Sequence, residues 1–162
     1  MKANVHDEEN VFDRVLAKNS KGKGSIWWTG RYQPDVGFRC AVFLRARSGT
    51  HRQLRDFLQH RLGPALLQAG AQELRAHVFM SGSRYTWWTP GVCHDEPANR
   101  RYDAMILIGA NSREALIQLL NSEVVLDTHE DQKRHCVAIH AYSVDRTYPL
   151  TVDGKPRPQT WD

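Results

Sequence analysis

The chain is 162 residues long, with 22 Lys and Arg against 18 Asp and Glu, eight His and a formal net charge of +4. That length fits one domain with its own core, without disulfide or metal staples. The basic residues are spread along the chain and interleaved with acids. The concentrated basic stripe that nucleic-acid binding demands is missing, and no nucleic-acid partner is expected.

Cys40, Cys93 and Cys136 are an odd set without a CxxC pair, and Cys40 and Cys136 fall in apolar runs where a free thiol acts as a small hydrophobe. They read as reduced, structural cysteines. The opening residues MKANVHDEEN carry acids where a signal peptide needs an apolar run, and no stretch reaches the length of a membrane span. A cytoplasmic protein with no membrane partner is the expectation.

Val11, Phe12, Val15 and Leu16 recur at helical spacing and precede a Gly/Lys/Ser-rich link, KNSKGKGS. This link lacks the third glycine of a dinucleotide loop and the GKS/T ending of a phosphate loop. The body begins at Gly37. GFRCAVFLRAR alternates as a half-buried strand, with Phe38, Cys40, Val42 and Leu44 on one face and Arg39, Phe43 and Arg45 on the other. A helix follows, capped by Thr50 with Gln53 reaching back, striped by Leu54, Phe57, Leu58 and Leu62, and ended or kinked at Gly63-Pro64. ELRAHVFM is the second strand, with Leu74, Ala76 and Val78 opposite Arg75, His77 and Phe79.

After a long loop rich in Trp, Pro and Gly, the same grammar returns. A strand RYDAMILIGA leads to a helix capped by Asn111 with Glu114 and striped by Leu116, Leu119 and Leu120, and CVAIHAYSV closes the order βαββαβ. The expected organisation is an N-terminal helix and linker over 1–36, an α+β domain over 37–148 and a tail over 149–162. SIWWTG precedes the first strand and YTWWTP the third, while His77 and His140 lie in the second strand of each half. An internal duplication would account for both coincidences, though two aromatic dipeptides and two histidines are a small sample.

A four-stranded antiparallel sheet with two helices covers only one sheet face with its own helices. The apolar set, including Val137, Ile139 and Ala141 of the last strand, belongs beneath them. The bare face then carries Arg39, Phe43, Arg45, Arg75, His77, Phe79, His140 and Tyr142, and the third strand is apolar in both alternations. Aromatic residues mixed with Arg and His suit a ligand-sized chamber, closed by a second copy pairing through this face.

The βαββαβ order, a helix ending in QHRLGPALL, and RYDAMILI followed by NSREALIQLLNSE together resemble the dimeric α+β barrel superfamily, in particular its EthD-like branch. The resemblance runs from about Gly37 to Tyr148. His60 before Pro64 and Asp103 in the third strand carry it, although His60 and Pro64 are spaced more widely than the branch's His-x-Pro. The resemblance implies a ferredoxin-like fold, a four-stranded antiparallel sheet with helices on one face, assembled as a homodimer. It further implies a cofactor-free cyclase, lyase or small monooxygenase, a degradation accessory protein or, in a few branches, a haem-binding protein. Fold alone does not choose among these.

His77 and His140 are the expected catalytic residues, because a strand histidine facing a partly apolar chamber can have its pKa brought near working pH. Tyr142 can donate a phenolic proton, and Arg39 or Arg75 can hold a carboxylate or an enolate. Phe43, Phe79 and His60 join the substrate-binding set, with Tyr85, Trp87 and Trp88 as a lid that stacks on an aromatic ligand. Each has a plain structural alternative in packing or hydrogen bonding. Metal readings fail: CHDE at 93–96 is too contiguous to converge on one ion, and HEDQK at His129 has Lys133 where HExxH needs its second His. MSGSR is no GxSxG elbow. The expectation is thus a cofactor-independent acid/base enzyme acting on a small anionic, aromatic or polyketide-like molecule. The alternative is a non-catalytic binding or accessory protein using the same chamber, for haem or a degradation intermediate.

Overall fold

A computed structural model of the protein describes residues 20, 24–30, 36–79, 101–145, 151–152 and 155–156. The expected helix around Val11, the lid residues Tyr85, Trp87 and Trp88, and Cys93 lie outside the described residues. Strands β1 (Ser25–Trp27), β2 (Phe38–Ala46), β3 (Glu73–Val78), β4 (Ala104–Ala110) and β5 (Cys136–Val144) form one sheet in the order β1-β3-β4-β2-β5. Every pairing in it is antiparallel. The last four strands of that order are the ferredoxin-like arrangement. The fifth is a departure from the four expected: Ser25–Trp27, assigned to the N-terminal extension, adds itself to the edge of β3. A separate two-stranded ladder joins β6 (Thr151–Val152) to β7 (Lys155–Pro156).

The helical layer begins with α1 (His51–Phe57), which passes through a π-helical turn at Leu58–Leu62 into α2 (Gly63–Gln68). Gly63-Pro64 therefore does not end the rod. Pro64 has no N–H to give and its ring crowds the carbonyl four residues back, and the wide turn just before it accommodates both. The true stop is Gly70, whose φ of 100° no bulkier residue adopts readily. There the Ala71 N–H donates to the Leu66 carbonyl and the Gly70 N–H to the Leu67 carbonyl, both at 3.0 Å, closing a Schellman motif.

The later helices are α3 (Arg113–Leu120), α4 (Glu123–Leu126) and α5 (His129–His135), the last running directly into β5. Both expected caps differ in detail. Ser112, not Asn111, accepts the Ala115 N–H at 3.1 Å, while the Asn111 Oδ1 accepts from Gln72 Nε2 at 2.5 Å. Thr50 stands at the N-cap of α1 but makes no side-chain cap bond; its hydroxyl donates instead to the Arg47 carbonyl at 2.7 Å.

Leu44, Leu54, Leu58, Leu66, Leu74 and Ile108 are the largest fully buried apolar side chains, all within one core between sheet and helices. Cys40 and Cys136 are buried free thiols, and burial, then the Asp103 carboxylate, push Cys136 up to about 11. The Asp103 carboxylate also accepts the Ala46 N–H at 2.7 Å, beside the register shift between Arg45 and Ala46, so its role in the described fold is to hold that irregular strand end.

β1 is fastened on both sides of the sheet edge. Beyond its end the Trp28 and Thr29 N–H groups donate to the Leu74 carbonyl at 3.2 and 3.3 Å. The Trp28 indole occupies the space that a Cβ on Gly63 would fill. Gly63→Ala sets a helix-propensity gain of up to about 1 kcal/mol against overlap with the indole of about 1–3 kcal/mol. A net loss of stability is expected in denaturant unfolding, and it should vanish in a Trp28→Leu background if the indole is the cause.

Candidate functional site

Residues directly opposite one another in antiparallel strands share a face, so the register resolves the bare face into rows. One row is Ser25, His77, Met105, Phe43 and His140, and the next is Trp27, Arg75, Leu107, Ala41 and Tyr142. Below them come Glu73, Gly109, Arg39 and Val144. The expected face is therefore right for Arg39, Phe43, Arg75, His77, His140 and Tyr142. The two histidines share a row at positions related by the approximate twofold of a βαββαβ sheet, which is where a duplicated unit would put them. They do not converge. Three strand spacings separate them, about 14 Å, so they belong to two different margins of the face.

The margin at β1 and β3 is the polar one. His77 Nδ1 lies 3.1 Å from Ser25 Oγ, which lies 3.1 Å from Ser20 Oγ. Trp27 meets the His77 ring edge-on at 6.2 Å, and the Arg75 guanidinium stands 5.0 Å from the Trp27 ring centre. Burial, and then the charge of Arg75, hold the His77 imidazole below the usual histidine range.

Glu73, at 1% exposure, is the acid beneath this margin. Its carboxylate accepts from Arg39 Nε at 2.7 Å and pairs closely with Arg75. The two arginines expected to hold a substrate thus both engage a protein carboxylate. Arg39 is buried, while Arg75 keeps part of its surface in solvent.

The other margin is aromatic. The Tyr102 hydroxyl is 2.5 Å from His140 Nδ1, and Phe43 packs against Tyr102 and Tyr142 at ring distances of 5.3 and 5.7 Å. Arg45 is half-buried at the end of β2, opposite Ala138. Phe79 does not stand out on the face: it is buried just past β3, its carbonyl hydrogen-bonded to His51 Nε2 at 2.7 Å.

His60 is not brought to this face at all. It is exposed on the helical layer, bordering a groove with Asp56, Phe57, Arg61, Asp131 and His135. A second concavity on the helical side, of about 180 Å³, lies where the helices stop short of β5, lined by apolar residues such as Leu62, Ile106 and Ile139 with His129 and Gln132 as its polar members. Among the described residues, no three His, Cys, Asp or Glu side chains are grouped to hold a metal. Nor is any described helix long and apolar enough to cross a membrane.

Ser25, Glu73 and Tyr102 are the site residues that sequence reasoning passed over. Glu73 left a signal, since it alternates with Arg75 and His77 on the same face of a recognised strand. Glu73→Gln removes the carboxylate from two guanidiniums in a buried setting and is expected to cost about 3–5 kcal/mol in denaturant unfolding. The lowered His77 pKa has a defined sign: below about pH 6.5 the unfolded chain takes up the proton before the folded ring does, so stability falls with pH until the folded ring titrates too. Wild type should lose more stability than His77→Gln on acidification from pH 7, as read in parallel melts; equal losses would exclude the linkage.

No family model and no curated protein matches the sequence. Among solved structures, a protein of Arabidopsis thaliana is 7% identical, with a TM-score of 0.50 over 68% of this chain and 96% of its own. An EthD family protein of Bacillus halodurans is 9% identical, with a TM-score of 0.48 over 68% and 99%. A dimeric ferredoxin-like protein of unknown function from Thermobifida fusca is 10% identical, with a TM-score of 0.45 over 79% and 97%. At such identities the likeness concerns the fold alone: this chain has a ferredoxin-like α+β fold, extended by one edge strand.

Proposed function

We propose that two copies of this chain pair through their bare sheet faces and that the pair performs acid–base chemistry on a small anionic, aromatic or polyketide-like molecule, with His77 moving the proton. The carrying observation is the His77 ring itself, partly desolvated, hydrogen-bonded at Nδ1 to Ser25 and adjacent to Arg75. A lowered pKa keeps the imidazole neutral near pH 7, as a general base requires. A guanidinium beside it offers charge to a carboxylate or an enolate.

The centre of the face is apolar, with Met105, Leu107 and Phe43, while Trp27 and Tyr142 remain 52% and 53% exposed. A second copy would cover this surface. Two sheets pack about 10 Å apart, which would close the central strands and leave room for a ligand at the margins. The β1/β3 margin has the proton-transfer group and the charge. His140, locked to Tyr102, belongs to the aromatic margin.

A second reading rests on the cleft beside β5. Its apolar wall with His129 and Gln132 suits a small ligand held without turnover. Titration with salicylate, followed by NMR, separates the two. The enzymatic reading predicts saturable shifts at the His77 ring and at Ser25 and Trp27. Shifts confined to His129, Gln132 and Ile139 would replace it with the binding reading, and a Soret band in purified protein would mark haem instead. With a substrate in hand, His77→Gln should lower turnover about a hundredfold or more with the fold intact; full activity in that variant would end the proposal.

A further inference from the structure

The strand that the chain adds to the ferredoxin-like sheet delivers a side chain to the proton-transfer group. Within β1, Ser25 is the residue paired directly opposite His77, and Trp27 the one opposite Arg75. Their side chains follow that register: Ser25 Oγ to His77 Nδ1 at 3.1 Å, and the Trp27 ring over the Arg75 guanidinium. Ser20, just upstream, places its own hydroxyl 3.1 Å from that of Ser25.

An imidazole has two ring nitrogens, and only the one without a proton can act as a base. A hydroxyl facing Nδ1 decides which that is. If Ser25 accepts from Nδ1–H, the lone pair is left on Nε2; if Ser25 donates to Nδ1, the proton sits on Nε2. The Ser20 hydroxyl, which can stand as donor or acceptor towards Ser25, offers the Ser25 hydroxyl an acceptor of its own. With Ser25 donating to Ser20 Oγ, its lone pairs remain for the ring N–H.

We infer that Ser25, itself held by Ser20, is a positioning residue that fixes His77 as the Nδ1–H tautomer and leaves Nε2 as the proton acceptor. This rests on the reading of His77 as the general base. The assignment turns the N-terminal extension into part of the site: without β1 the His77 ring would lose both its hydroxyl partner and the Trp27 edge.

The test is the tautomer, read directly from the ¹⁵N shifts of the His77 ring in the intact chain above pH 7. Wild type should show one protonated nitrogen, Nδ1. Ser25→Ala should lose that single state and populate Nε2–H, Ser25→Thr should restore it through its hydroxyl, and Ser20→Ala should weaken it. A wild-type ring protonated at Nε2 overturns the inference whether or not any variant folds, and so does an Nδ1–H state that survives Ser25→Ala. Failure here is separable from failure of the functional reading. A ligand that shifts the His77 ring equally in wild type and Ser25→Ala would leave His77 in the site while removing Ser25's role. A fixed tautomer in a ring that no ligand perturbs would do the reverse.

Discussion

Helices cover one side of this sheet, so every second residue on β2, β3 and β4 must find a partner other than the core. That constraint shapes the bare face. Where the alternating residue is charged, the chain has had to neutralise it in place. Glu73 is nearly inaccessible and is paired with Arg39 and Arg75 rather than left to water. Where the residue is apolar, as at Phe43, Met105 and Leu107, it is left half-covered. One face therefore holds an ion-pair cluster around a buried carboxylate and a half-covered apolar field.

In the proposed pair, the covering sheet would press hardest on the central strands, which have little to offer a reactive molecule. The margins differ. At β5 the histidine is bound into an aromatic group with Tyr102, Phe43 and Tyr142. At β3 the extra strand contributes Ser25 and Trp27, and His77 sits among a hydroxyl, an indole and a guanidinium. Two histidines at symmetric places in the fold thus have different neighbours, and at β3 burial and the adjacent Arg75 charge hold His77 below the usual histidine range.

Much of the fold was legible because period-two alternation is a local signal. β2 declared its limits and its face, β3 its start and its face but not its end before Phe79, and the face assignments for Arg75, His77 and Phe43 followed from parity alone. For β5 parity gave the right side for Ile139, paired with Leu44, but not the burial, for it remains 39% exposed because the helices do not reach that edge. At the register shift beyond Arg45 the alternation breaks, and Cys136 rather than Val137 joins the core. β1 was illegible since three residues after a Gly/Lys-rich link carry no period, and their pairing with β3 crosses about fifty positions. His60 could have been placed better. It lies off the Leu54, Phe57, Leu58 and Leu62 stripe, which already turned it to solvent. The π-helical turn required knowing that a tertiary core would hold the rod together across Pro64.

The claim on which the rest leans is that a second copy covers the bare face. Sedimentation equilibrium of wild type and Phe43→Glu measures it directly, since a carboxylate at this position of β2 would be buried unpaired in the pair but not in the monomer. The account predicts a dimer at micromolar concentration for wild type and a folded monomer for Phe43→Glu. A wild-type monomer at that concentration, or a dimer indifferent to the substitution, would contradict it.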